Sequence, residues 1–178
     1  MEFDYLRDYT MYAAVFGFFS FVWFGWAQEN PPQKWRKYLG FGSVIAFIVC
    51  AIGIYLSMQN WHAKTALSEL NNFILYLSIF YGEFIIAAIG VFLLFRFKKK
   101  DFVAPWIAFL VGIHFYALVF VFHDNSLFLL AKLMIIIAIG ASILSGKLNI
   151  SKSALTGLGS GIVLFCYAVL GLVRYFLS

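Results

Sequence analysis

Long apolar runs, separated by short polar or basic connections, dominate the pattern of this chain. Each run extends over about 19–23 residues, the length that an α-helix needs to cross a hydrocarbon core of roughly 30 Å. Apolar and polar residues do not alternate within the runs, so the strands of a membrane barrel are not indicated. The pattern predicts six spanning helices, at about residues 10–28, 39–58, 73–95, 102–122, 126–145 and 154–176.

Composition supports this interpretation. The chain is 63% hydrophobic and only 12% charged, with a mean hydropathy of +0.91, whereas a soluble domain has about a quarter of its residues charged. We therefore predict an all-α fold in which residues 1–178 form a single integral membrane domain and the lipid bilayer is the main partner. The net charge of +5 does not indicate nucleic acid, because the basic residues lie in short connections where they face anionic lipid.

The distribution of basic residues predicts the orientation. Nine of the 13 Lys and Arg residues lie in the first, third and fifth connections, and three lie on the opposite side. Because cytoplasmic connections carry the excess of Lys and Arg, the odd-numbered connections are predicted to be cytoplasmic and both termini external. The predicted location is the plasma membrane.

Small residues predict how the helices pack. The second predicted helix carries Gly42, Ala46 and Gly53 on one face, and the sixth carries Gly157 and Gly161. Small residues at such spacings let helix backbones approach closely, which is how helices associate in lipid. We expect both helices to make close contacts through these stripes.

Three ionisable residues lie inside the predicted helices: Glu83, His114 and Lys132. Ionisable groups are costly in lipid and usually face the bundle interior or a watery cavity. An acid and a base at similar depth favour each other's charged forms, so we predict a Glu83–His114 or a Glu83–Lys132 pair. Tyr76, two turns from Glu83 on the same helix face, completes this predicted intramembrane polar site.

Simpler interpretations exist for each of these residues. Lys132 can extend along its stem towards the headgroups without touching the others. Glu83 can stay neutral and bond a tyrosine, and His114 can bridge two helices as a neutral imidazole.

A second polar group is predicted at the external end of the bundle. Arg7, Asp8, His123 and Asp124, together with Asp4, lie near predicted helix ends on that side. They are interpreted as an outer vestibule leading to the intramembrane site. The alternative is that they are solvated terminal and loop residues.

The segment G112-I-H-F-Y-A-L-V-F-V-F-H123 resembles a segment of small uncharacterised bacterial multi-helix membrane proteins that carry G-x-H-F-x-P-[FL]. The resemblance covers about 25 of the 178 residues. Gly112, His114, Phe115 and Leu118 match it, and Ala117 stands where those proteins have proline. The resemblance implies a bacterial inner-membrane protein with a histidine inside an apolar helix, and it implies no activity.

Three classes of function are compatible with these features. The first is a small transporter, channel-like protein or permeation subunit, in which the intramembrane residues exchange protons and Lys132 balances charge. Its small size then favours a homodimer or a larger membrane partner. The second is a non-catalytic membrane partner, such as an assembly, immunity or regulatory subunit. The third, an intramembrane enzyme or haem protein, is less favoured, and no cofactor, metal site or nucleic-acid partner is predicted.

Overall fold

The computed structural model describes residues 5–178, and Asp4 lies outside them. Six long α-helices make up the described chain, and no strand occurs in it. The helices are α1 Leu6–Trp26, α2 Arg36–Gln59, α3 Leu70–Arg96, α4 Val103–Phe122, α5 Ser126–Leu148 and α6 Lys152–Leu177. Short 3-10 turns occupy Gln33–Trp35, Ala66–Ser68 and Lys100–Phe102. The predicted all-α fold is confirmed.

Five of the six helices are long and apolar enough to cross a membrane, so the chain is a multi-pass membrane protein. With the adjoining 3-10 turns, these candidate spans are Gln33–Gln59, Leu70–Arg96, Lys100–Phe122, Ser126–Leu148 and Lys152–Leu177. The exception is α1, LRDYTMYAAVFGFFSFVWFGW, in which two tyrosines, two tryptophans, two glycines and a serine lower the hydropathy.

The ends of the helices lie close to the predicted positions, with the largest difference in α1. This helix covers Leu6–Trp26 rather than residues 10–28. A turn follows it, with Asn30 at a φ of 61°, before Pro31 and Pro32. Helix α5 continues beyond its predicted end to Leu148 and stops where Asn149 adopts a left-handed φ of 54°.

The helices follow a simple order across the bundle. Helix α1 packs between α2 and α6, α5 packs between α6 and α4, and α3 lies at the edge against α4. Aromatic rings fill the centre, where Phe16 of α1 meets Phe115 of α4 and Tyr167 of α6 edge-on, with ring centroids 5.7 and 6.1 Å apart. The core therefore joins the first helix to helices late in the chain.

The predicted stripe on α2 contacts α1. Gly53 lies so close that a Cβ there would be 2.3 Å from the backbone nitrogen of Ala14. Gly42 faces the ring of Phe24, 3.3 Å from an added Cβ, and Ala46 is completely buried. The three small residues thus make room for α1.

The predicted stripe on α6 contacts the other side of α1. A Cβ on Gly157 would lie 2.6 Å from the carbonyl oxygen of Trp23, and one on Gly161 would lie 2.7 Å from the ring of Phe24. The hydroxyl of Ser20 donates to the carbonyl of Gly161 over 2.8 Å. These close approaches hold α1 and α6 together along their length.

Helix α3 is packed very differently, because none of its side chains is buried. Its contact with α4 includes Trp106, whose indole fills the space beside Gly90 and points its Nε1 at the carbonyl of Ala87, 3.4 Å away. Towards the Leu70 end, the ring of Tyr76 meets that of Phe122 at 6.3 Å. Only one face of α3 is in contact with the protein.

Candidate functional site

Glu83 and His114 meet at the interface between α3 and α4, near the middle of both helices. The Oε2 atom of Glu83 and the Nδ1 atom of His114 form a hydrogen-bonded contact that is also an ion pair when the histidine is protonated. The two side chains are 18% and 19% exposed. The structure therefore brings together one of the two predicted acid–base pairs.

Local sequence explains why the pair fits here. Glu83 shares a face of α3 with Ala87 and Gly90, whose small side chains leave room for groups from α4. On α4, His114 precedes the buried Phe115, and the two rings meet edge-on at 4.8 Å. The imidazole is thus positioned by the core on one side and by the carboxylate on the other.

The chemistry of the pair follows from one shared hydrogen bond. A carboxylate beside an imidazolium and a carboxylic acid beside a neutral imidazole differ only by movement of one proton between the two groups. In an apolar setting the charged arrangement persists only while the partners stay in contact. The pair can therefore hold a proton, and its charge depends on the distance between α3 and α4.

Lys132 does not join this pair, contrary to its predicted place in the polar site. Its neighbours Ala131 and Met134 are completely buried on the inward face of α5, and the helical turn carries Lys132 to the exposed face. Of the two predicted partners for Glu83, only His114 is in contact.

Tyr76 lies two turns from Glu83 on the same helix and is partly buried. Its ring contacts those of Phe80 and Phe122, and in the described part of the chain no hydrogen bond joins it to Glu83. Tyr76 therefore lines the α3–α4 interface as an aromatic side chain.

The residues predicted for the outer vestibule form separate contacts, the first around Asp8. This carboxylate is 6% exposed and accepts hydrogen bonds from the hydroxyl of Thr65 at 2.5 Å and the amide of Ala66 at 2.9 Å. The neighbouring Arg7 lies over the ring of Trp61 and donates to its carbonyl at 3.0 Å. Both residues fasten the α2–α3 connection to α1.

The second contact is at Asp124, between α4 and α5. One carboxylate oxygen lies 2.5 Å from the guanidinium of Arg174, and the other accepts the amide of Ser126 at 2.8 Å. His123 is exposed and caps α4 with a left-handed φ of 51°. Asp124 is thus engaged by Arg174 and Ser126, while His123 remains exposed at the end of α4.

The sequence predicts Arg174 on the external side, as one of the three basic residues there, but neither Arg174 nor Thr65 was included in the predicted vestibule. Arg174 is the basic residue in the last turn of α6, and α6 finishes at the same end of the bundle as Asp124. The available signal for Arg174 was that it and the oppositely charged Asp124 are predicted at the same face of the membrane. For Thr65, a hydroxyl in a connection, the sequence offered no comparable signal.

Two openings in the protein surface lie away from the Glu83–His114 pair. One, of about 510 Å³, is at the opposite end of the bundle and is lined in part by Glu29, Lys100 and Lys152. The other, of about 340 Å³, is an apolar groove between α1 and α2. Neither is lined by Glu83 or His114, so neither leads to the pair.

Fold and site together define a helical multi-pass membrane protein with a carboxylate–imidazole pair between two of its helices. Among residues 5–178, no group of three or more His, Cys, Asp or Glu side chains is arranged to hold a metal ion. No protein-family model, curated protein or solved structure matches the chain.

Proposed function

We propose that this protein is a small transporter or permeation subunit of the plasma membrane in which the Glu83–His114 pair binds and releases protons. The observation that carries the proposal is the contact of an acid with a base near the middle of α3 and α4. Intramembrane acids and imidazoles are costly and occur mainly where they serve ion or proton pathways. The pair supplies a proton-binding group without a metal or cofactor.

The loose attachment of α3 supports the proposal that this helix moves beside the pair. Because α3 has no buried side chain, it can shift against α4 without opening the aromatic core. Loss of the shared proton weakens the link between the two helices, so that proton release and movement of α3 are coupled. A second copy, or a larger partner, completes the pathway around the exposed face of α3.

The topology within this proposal has six spans. Helix α1 has 21 residues, which at 1.5 Å per residue gives a length of about 30 Å, and it is enclosed by α2 and α6. The basic residues of the first, third and fifth connections favour a cytoplasmic position for them. Both termini are then external.

Flux measurements in proteoliposomes test the proposal. We expect an imposed potential to drive proton movement that is reduced at least tenfold in Glu83→Gln and in His114→Phe. Glu69→Gln is the matched control, because Glu69 is an exposed carboxylate next to α3 and its loss should leave the flux unchanged. Equal flux in all four proteins would contradict the assigned site, and no flux in the wild type would contradict transport by this chain without a larger partner.

A non-catalytic partner subunit is the second candidate, favoured by the bare surface of α3. A helix of 27 residues with none buried presents most of its surface to lipid or to another protein. Such a subunit alone gives no flux. Flux that appears only after its partner is added, and that is the same in Glu83→Gln, would support this second function over the first.

A further inference from the structure

The exposed side of α5 carries a regular stripe of side chains. It consists of Leu129, Lys132, Ile136, Ile139 and Ile143, spaced alternately three and four residues apart and all exposed. This spacing aligns side chains along one helix face, as in helices that interlock with a second helix. We call these five residues the α5 seam.

Two glycines make the helix surface near the α5 seam accessible. A Cβ added to Gly140 or to Gly146 would have no atom within 4 Å. In lipid, small residues at a helix surface allow the backbone of another helix to approach closely. The seam therefore combines large apolar side chains with open places between them.

Lys132 makes this face chemically specific. In the described residues it forms no ion pair or hydrogen bond. It lies six residues after Ser126, which is about 9 Å along the helix, and an unpaired ammonium is unfavourable at that depth. The hydrocarbon tails at this depth supply no counter-ion for the charge.

Among the described residues, three carboxylates in or beside the helices are already engaged. Asp8 is bonded by Thr65 and Ala66, Glu83 by His114, and Asp124 by Arg174. A second copy docked symmetrically through the same face would bring two Lys132 side chains together, and like charges repel. Charge complementarity thus selects a different protein with an acid.

We propose that the α5 seam docks a transmembrane helix of a partner protein that carries an aspartate or glutamate opposite Lys132. The carboxylate neutralises the ammonium, and the isoleucines and open glycines supply the packing. This inference goes beyond the proton-binding role of the Glu83–His114 pair and does not depend on it.

A synthetic helix tests this recognition directly. The probe is a leucine-rich transmembrane peptide with one glutamate a third of the way along, mixed with the full-length protein in phosphatidylcholine vesicles and followed by energy transfer. We expect it to bind at least tenfold more tightly than the same peptide with glutamine. Lys132→Met should remove that preference, whereas Lys147→Met, at an exposed lysine at the other end of α5, should keep it.

Other outcomes would overturn the proposal. Equal binding of the two peptides, or an unchanged preference in Lys132→Met, excludes recognition of the acid by this lysine. If the preference for the glutamate peptide disappears when phosphatidylglycerol is added, Lys132 binds lipid headgroups instead. If the protein associates with itself and this association needs Lys132, the α5 seam binds a second copy instead. If Lys132→Met does not fold, Ile136→Trp replaces it; binding that survives this block of the seam overturns the proposal.

Discussion

Helices α1 and α3 are opposites in the same bundle. Ten residues of α1 are buried, although it is the one helix that falls outside the candidate spans. Helix α3 is one of those spans and has no buried residue. The more apolar helix is thus the less enclosed one.

This difference in burial follows from the lipid that surrounds the helices. Lipid tails are as apolar as leucine, so apolarity predicts that a helix enters the bilayer and says little about what it packs against. Close packing depends on small residues and on polar contacts between helices. Helix α1 is enclosed because α2 and α6 present Gly53, Gly157 and Gly161 to it.

The two helices are also held by different interactions. Helix α1 is attached by close approaches of its neighbours at Gly53, Gly157 and Gly161, along much of its length. Contacts of individual side chains attach α3, among them Trp106 beside Gly90 and the Glu83–His114 pair. We therefore expect α1 to behave as a fixed part and α3 as a part that can loosen alone.

The largest expected effect comes from filling the α1 interface. Gly53→Leu forces a side chain into the backbone of Ala14, and we expect a loss of about 3 kcal/mol in the free energy of unfolding. Gly82→Leu on α3 is the control, since an added Cβ there meets nothing within 4 Å. Unfolding in mixed micelles measures both, and equal losses would refute the contrast between the helices.

An intermediate effect is expected at the α3–α4 pair. Glu83→Leu or His114→Leu leaves one polar group without its partner, which we expect to cost roughly 1–3 kcal/mol. The double variant should recover most of this loss, because both polar groups are gone. Hydrogen exchange should show faster opening confined to α3 in the single variants. Opening that spreads to α1 would show that the two helices are not independent.

The smallest effect concerns two serines. Ser20→Ala removes a hydrogen bond between α1 and α6, for which we expect a loss of about 0.6 kcal/mol. Ser78→Ala on α3 removes only a bond within the helix, to the carbonyl of Ile74, and should change little. Chemical unfolding of the two variants side by side distinguishes them, and a larger loss for Ser78→Ala would reverse the comparison.

The sequence predicted the helices and the glycine contacts well, for a physical reason. Long apolar runs and small-residue stripes are direct requirements of a lipid environment. Glu83 and His114 were recognised because ionisable residues are rare inside such runs. Their contact was one of two predicted pairings, and the sequence could not choose between them.

The direction of Lys132 could not be read from the sequence. In a soluble helix, polar residues mark the outer face, but here the inward and lipid-facing sides of α5 are both apolar. Leu130 is completely buried and Ile136 is 63% exposed, although their chemistry is nearly the same. Helical periodicity therefore carried no information on which side Lys132 lies.

The packing of Trp106 could not be predicted from the sequence for a related reason. A tryptophan near a predicted helix end is commonly a ring at the membrane boundary. The structure uses it to fill the space beside Gly90. Such a contact depends on which residues of two helices lie at the same level, and spacing within one helix does not determine that.

Because α1 packs against α6, its packing can be completed only after α6 has been synthesised. The hydroxyl of Ser20 and the carbonyl of Gly161 are separated by 141 positions, and a ribosome adds about 5–20 residues per second. The first helix must therefore wait roughly 7–28 seconds for the last one to be synthesised. During that interval the face of α1 that packs on α6 has no partner within the chain, so this helix is exposed to degradation or to a membrane chaperone until synthesis of α6 is complete.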